Sequence, residues 1–166
     1  MKHKKKDLYM LAHLREDSRV PLTTLSRRTH IPVSTLFDRL RSEENSGLFR
    51  KRTVIPDFSE LGFGTRIIAA IKVPKDVKED LREYLERNLN LNSMFQINNG
   101  YNFLIDCLFR NMAEVEEFKD EVESRFQISQ MDIHFILDEL KVESFLDSSS
   151  KVDALLGGGE CVECAE

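Results

Sequence analysis

The stretch Arg27–Arg41, RRTHIPVSTLFDRLR, decides how the chain is read. Arg27 and Arg28 end one helical pattern, Thr29-His30 interrupts it, and Pro32 or Ser34 opens another. In the second pattern Val33, Leu36, Phe37 and Leu40 recur at helical spacing and are expected to face inward. Asn45-Ser46-Gly47 supplies a C-terminal stop. Two short helices joined by a tight turn, the second opening with the paired hydroxyls of Ser34 and Thr35, have the layout of a helix-turn-helix. The question is whether Arg27–Arg41 sits in a DNA groove or is a basic surface helix.

Upstream, Leu8, Leu11, Ala12 and Leu14 mark a first helix, broken at Asp17-Ser18-Arg19. Pro21 starts the second, with Leu22 and Leu25 as its apolar positions. Downstream, LFRKRTVIPDF (48–58) mixes apolar and basic residues and is expected to form a short two-stranded hairpin that ends at Pro56. Three helices followed by a hairpin predict a winged helix-turn-helix over residues 1–60.

From Thr65 the periodicity changes. TRIIAAIKV reads as a strand with Ile67, Ala69, Ile71 and Val73 on one face. DVKEDLREYLERN is an amphipathic helix. SMFQIN and YNFLIDCLF are strands joined by an Asn98-Asn99-Gly100 turn. MAEVEEFKDEVESRF is a second helix, carrying Val115, Phe118, Val122 and Phe126, and QMDIHFILDELKV is a last strand. The order βαββαβ predicts a ferredoxin-like domain over 61–145, and the fold class is α+β. Residues 146–166, with their Ser and Gly runs, are expected to be a flexible tail.

The sheet is expected to be apolar on both faces, with Tyr101, Phe103 and Ile105 on one and Leu104 and Leu108 on the other. Phe95 and Ile97 oppose Met94 in the same way. Helices cover one face, and the other needs a second cover, most simply the same sheet of another copy in an isologous dimer.

Charge is divided between the halves. Residues 1–66 hold 14 Lys and Arg against 8 Asp and Glu; residues 67–166 hold 10 against 21. The basic half suits phosphate, and the acidic half repels it. No apolar run is long enough to span a bilayer and no secretory signal is recognised. The three cysteines, Cys107, Cys161 and Cys164, make no disulfide framework. A reducing, cytoplasmic setting with no membrane partner is expected. The sequence holds no phosphate-binding glycine loop, nucleophile elbow or HExxH helix, so it is read as a non-enzyme. Cys107 is expected in the core. Cys161 and Cys164 form a lone CVEC, short of the four ligands of structural zinc unless two chains combine, and are weak metal candidates beside the reading of free thiols. No resident cofactor is expected.

The runs EDSR, LTTLSRR, STLFDRL and SGLF, followed by IPDFSELG, resemble in order and spacing the Lrp/AsnC (feast/famine) family of prokaryotic transcription regulators. The resemblance covers roughly residues 5–145. It implies a sequence-specific regulator that binds double-stranded DNA, and a C-terminal domain (RAM, ACT-like) that pairs sheet to sheet into dimers and often assembles into octamers. On this likeness the DNA-binding residues are Ser34, Thr35, Asp38, Arg39 and Arg41 of the recognition helix, Arg27 and Arg28 of the preceding helix, and Lys51 and Arg52 of the wing.

Two positions of the helix-turn-helix depart from the family pattern. His30 stands where the family usually has the turn glycine, and Pro32 stands in place of a Ser cap. The family also often places Gly-Asp-Tyr-Asp in the turn that binds an amino-acid effector. Here the turn region is Asn98, Asn99, Gly100, Tyr101 and Asn102, with both acidic positions neutral. An amide holds an ammonium group more weakly than a carboxylate does. Two alternatives stay open: an oligomeric module sensing a small molecule, metal or oxidant with weak DNA binding, and a tetrapyrrole enzyme like the siroheme decarboxylases, which share this two-domain plan.

Overall fold

In a computed structural model, residues 5–51 and 53–156 are described. The helices are α1 (Lys5–Glu16), α2 (Leu22–Thr29), α3 (Val33–Asn45), α4 (Lys78–Glu86), α5 (Met112–Arg125) and α6 (Ser149–Leu155). The strands are β1 (Thr65–Lys72), β2 (Leu91–Gln96), β3 (Phe103–Phe109) and β4 (Gln130–Phe135). The chain divides into two units. One contains the N-terminal residues up to Val54 together with the chain from Leu140 onward; the other runs from Ile55 to Glu139.

The second unit is the expected βαββαβ. Its sheet has the order β2-β3-β1-β4, with every neighbouring pair antiparallel. Alternation along β1 and β3 sends Ile67, Ala69, Ile71, Phe103, Ile105, Cys107 and Phe109 to one face. There they pack on Leu81 and Leu85 of α4 and on Val115, Phe118 and Val122 of α5. Cys107 is fully buried, and burial pushes its thiol up to about 12. Asn111 caps α5 by accepting from the Glu114 amide at 3.1 Å, while Glu114 accepts from the Arg110 amide at 2.9 Å. The β2–β3 turn has Asn99 at φ 61° and Gly100 at φ 93°. The Ile97 amide donates to the Asn102 carbonyl at 3.1 Å, so residues 98–101 close the hairpin, and Asn-Gly reaches the two successive positive φ values at its tip at low cost.

The opposite face carries Phe95, Leu104, Ala70 and Asp132 in one row across the strands. Apolar residues on both faces are therefore observed. Tyr101, expected beside Phe103, instead reaches across to the Asp132 carboxylate. The last strand ends at Phe135, earlier than its pattern suggested, although the Ile136 amide still donates to the Arg66 carbonyl at 2.9 Å.

In the first unit Met10, Leu25, Ile31, Leu36 and Leu40 form the core, ringed by Leu14, Val20, Leu22 and Phe49. Three sequence expectations need correction here. Of the four residues of α3 expected to face inward, only Leu36 and Leu40 do; Val33 is 41% exposed and Phe37 56%. A period of 3.6 places 36 and 40 on one stripe and carries 33 and 37 round to its edge.

The wing hairpin is the second correction. No strand forms among the described residues of 48–58. That stretch has no Gly, Asn or Asp at its centre to make a tight turn. Consecutive like charges at Arg50 and Lys51 disfavour a tight turn there, and Pro56 lacks an amide to pair.

The third concerns the tail. Residues 149–155 form α6, which packs on α1 and buries Val152 completely. The Tyr9 hydroxyl donates to Asp153, and Arg15 donates to the Glu143 carboxylate at 2.9 Å. Lys151 pairs with Asp147 one turn away at 2.6 Å. One apolar side chain anchored in this way orders a segment whose composition reads as linker.

Candidate nucleic-acid interface

The turn between α2 and α3 is built by local chemistry. Pro21 and Pro32 sit at the N-caps of the two helices in extended geometry, with ψ of 140° and 143°. Neither supplies a side-chain cap, but each carbonyl accepts the first helical bond, from Leu25 and Leu36 respectively, both at 2.9 Å. Between the helices His30 is left-handed, at φ 52° and ψ 35°. Histidine tolerates that region better than most residues with a Cβ. Two hydroxyls hold the turn closed: Ser26 donates to the Ile31 carbonyl at 2.6 Å, and Thr29 donates back to the Leu25 carbonyl at 2.7 Å. Buried Leu25, Leu36 and Leu40 then fix the pose of α3.

This arrangement exposes Ser34, Asp38 and Arg41 along α3, with Val33 and Phe37 beside them, and leaves Thr35 half-buried. Arg27 and Arg28 are exposed at the end of α2. Arg27 lies 3.4 Å from the Thr24 hydroxyl, and Arg28 pairs with Glu16 at 3.3 Å. Lys51 is exposed, and Arg52 lies outside the described residues.

Arg39 is placed differently from the other residues expected at this surface. It turns inward and pairs with Asp7 of α1, so its guanidinium ties α3 to the first helix. Sequence spacing could not reveal this, because the partner lies 32 residues away.

The turn expected to bind an effector is partly committed to the fold. Asn102 accepts from the Val73 amide at 2.7 Å through its side chain and donates its own amide to the Ile71 carbonyl at 2.8 Å. Asn98, Asn99 and Gly100 are exposed. Tyr101 donates to Asp132 and accepts from Gln130 at 2.9 Å. The Tyr101 hydroxyl, then Gln130, hold the Asp132 carboxyl below the usual carboxylate range. Asp132 and Gln130 carried no sequence signal for this place; only the β1–β4 register brings them to it.

A second polar group lies on the uncovered sheet face. Arg66 donates through two nitrogens to Asp106, both at 2.7 Å, and also pairs with Glu139. Asn92 donates to Asp106 at 2.6 Å. This bidentate pairing raises the Arg66 guanidinium pKa above its ordinary value.

Among the described residues no group of three or more His, Cys, Asp or Glu is arranged to hold a metal, and no helix is long and apolar enough to cross a membrane. Cys161 and Cys164 lie outside the described residues.

No protein-family model matches the chain. Its sequence is 21% identical over 141 residues to the uncharacterized helix-turn-helix-type transcriptional regulator PF1734 of Pyrococcus furiosus, covering 85% of this chain and 95% of that one. It is 22% identical over 138 residues to the transcriptional regulator LrpC of Bacillus subtilis, covering 83% and 94%. The solved LrpC structure superposes with a TM-score of 0.77, covering 85% of this chain and 99% of that one. The transcriptional regulator NMB0573 of Neisseria meningitidis, solved as its L-Met complex, superposes with a TM-score of 0.78 at 21% identity, covering 85% and 94%. These relatives are transcription regulators, and this chain shares with the solved ones the N-terminal helices followed by the βαββαβ sheet; at these identities it is similar to the Lrp/AsnC regulators and has their fold.

Proposed function

We propose that this regulator binds a pseudo-palindromic operator as a dimer or higher oligomer, with α3 in the major groove. The observation that carries the reading is the helix-turn-helix itself. A turn held by His30, Ser26 and Thr29 presents Ser34, Asp38 and Arg41 outward from a helix whose inner stripe is fully packed. Arg27, Arg28 and Lys51 are exposed and are assigned to backbone phosphates. Arg39 is assigned to holding α3 on α1 rather than to DNA.

Dimerisation is assigned to the uncovered sheet face, where Phe95, Leu104 and Ala70 form an apolar row. Two copies joined there would set two recognition helices about one helical turn apart, roughly 34 Å. A small-molecule effector at Asn98, Asn99 and Gly100 belongs to the same reading. NMB0573 is a regulator of this fold solved with L-Met. In this chain Asp132 supplies the negative charge that the turn itself lacks.

The test is a footprint of the purified protein on DNA upstream of its own gene, against unrelated DNA, across a salt series. Selective protection whose affinity falls steeply with salt is the expected result. Equal, weak binding to both DNAs would sink the operator reading.

A further inference from the structure

We propose that Val33 and Phe37 form an apolar reading edge on α3 that recognises thymine 5-methyl groups, so that the operator half-site carries thymine under this helix. The inference rests on α3 entering the major groove and names what it reads there. Residues 33, 37 and 41 are spaced four apart and share one face of the helix. Val33 is 41% exposed and Phe37 56%, while Leu36 and Leu40 already fill the core behind them. An exposed phenyl ring in mid-helix contributes little to this unit's packing and leaves apolar surface in water.

The surroundings point to duplex DNA as the occupant. Arg41 continues the same face, and Arg27 is exposed on the helix before it beside Arg28, whose charge Glu16 partly offsets, so the apolar pair is flanked by cations that match a phosphate backbone. Asp38 is exposed next to Phe37, and a carboxylate there is repelled by phosphate. It is tolerated where base edges offer amino donors. The face therefore meets bases rather than backbone. In the major groove the apolar feature of a base edge is the thymine methyl, which apolar side chains contact.

The probe is a duplex that the full chain selects from a random pool, synthesised with deoxyuridine in place of each thymine in turn. Uracil keeps the pairing and loses only the methyl. Affinity is expected to fall about fourfold at each contacted thymine, the equivalent of one buried methyl. Substituted thymines elsewhere should be silent. In Phe37→Ala, whose thermal unfolding should match the parent because the ring is largely exposed, the sensitive thymine under residue 37 should become indifferent to uracil.

A selected site without thymine in its half-sites, full tolerance of uracil, or unchanged uracil sensitivity in Phe37→Ala would each overturn the inference while leaving operator binding intact. Failure of the parent chain to select any duplex would overturn the operator reading and this one together.

Discussion

Arg39 shows how one contact changes the meaning of a residue. On the outer face of α3 it would be a phosphate ligand; against Asp7 it is a tie between helices, with both side chains largely shielded from water. Arg39→Ala should therefore lower stability by about 1–3 kcal/mol in urea unfolding, because it removes a partly buried charge-assisted hydrogen bond to Asp7. Arg41→Ala should leave unfolding unchanged and reduce the salt slope of DNA binding by about one. His30 is the second such position. A β-branched side chain is strained at its φ of 52°, so His30→Val should cost about 1–3 kcal/mol by thermal unfolding.

Asp132 and Tyr101 give a pH signature. Their hydrogen bond lowers the carboxyl from its ordinary 3.8 and, being made by the protonated phenol, raises the phenol from 10.0. For Asp132 the folded value is the lower one, so its contribution is present above pH 3.8 and is lost as pH falls through the depressed value. For Tyr101 the folded value is the higher one, so its contribution is present below pH 10.0 and is lost as pH rises through the raised value. Tyr101→Phe should return the Asp132 carboxyl toward its ordinary range in an NMR titration.

At the scale of elements, α6 carries the clearest consequence. It contributes a fully buried Val152 to the unit that holds α3. Val152→Ala removes two buried methyl groups and should cost about 1.5 kcal/mol or more. Hydrogen exchange should localise the loss to α1, α2 and α3, and leave the amides of β1 and β3 unchanged. Uniform acceleration across both units would contradict this division. The hairpin between β2 and β3 behaves in the opposite way. Its Asn99-Gly100 pair is local chemistry that needs no distant partner, which is why the sequence shows it directly.

For the whole molecule, the division of charge and the two-faced sheet are the relevant quantities. Arg66 and Asp106 sit on the uncovered face beside its apolar row, already paired to each other and to Glu139 and Asn92. A face with its charges matched internally can be covered at a lower desolvation penalty than one with free charges. Leu104→Asp places an unmatched carboxylate in the centre of that row. It should convert the proposed dimer to monomers in light scattering and leave the circular dichroism of the sheet unchanged. An unaltered mass would move the dimer contact elsewhere.

The sequence by itself determined the elements whose causes are local. The order of helices and strands follows from hydrophobic period, and the turns at Thr29-His30 and Asn99-Gly100 follow from residues that tolerate positive φ. The separation into a basic and an acidic half is read by counting. The family resemblance rests on the same local runs. Only the tertiary structure decided what depends on partners far along the chain. It turned Arg39 to Asp7, brought Asp132 to Tyr101, packed α6 on α1 and left Val33 and Phe37 outside the core. It also left the 48–58 stretch without strands among its described residues, where mixed apolar and basic residues suggested a hairpin. The physical reason is common to all of these. Periodicity and turn chemistry act within a few residues, whereas ion pairs, strand register and burial are set by which surfaces the completed fold brings together.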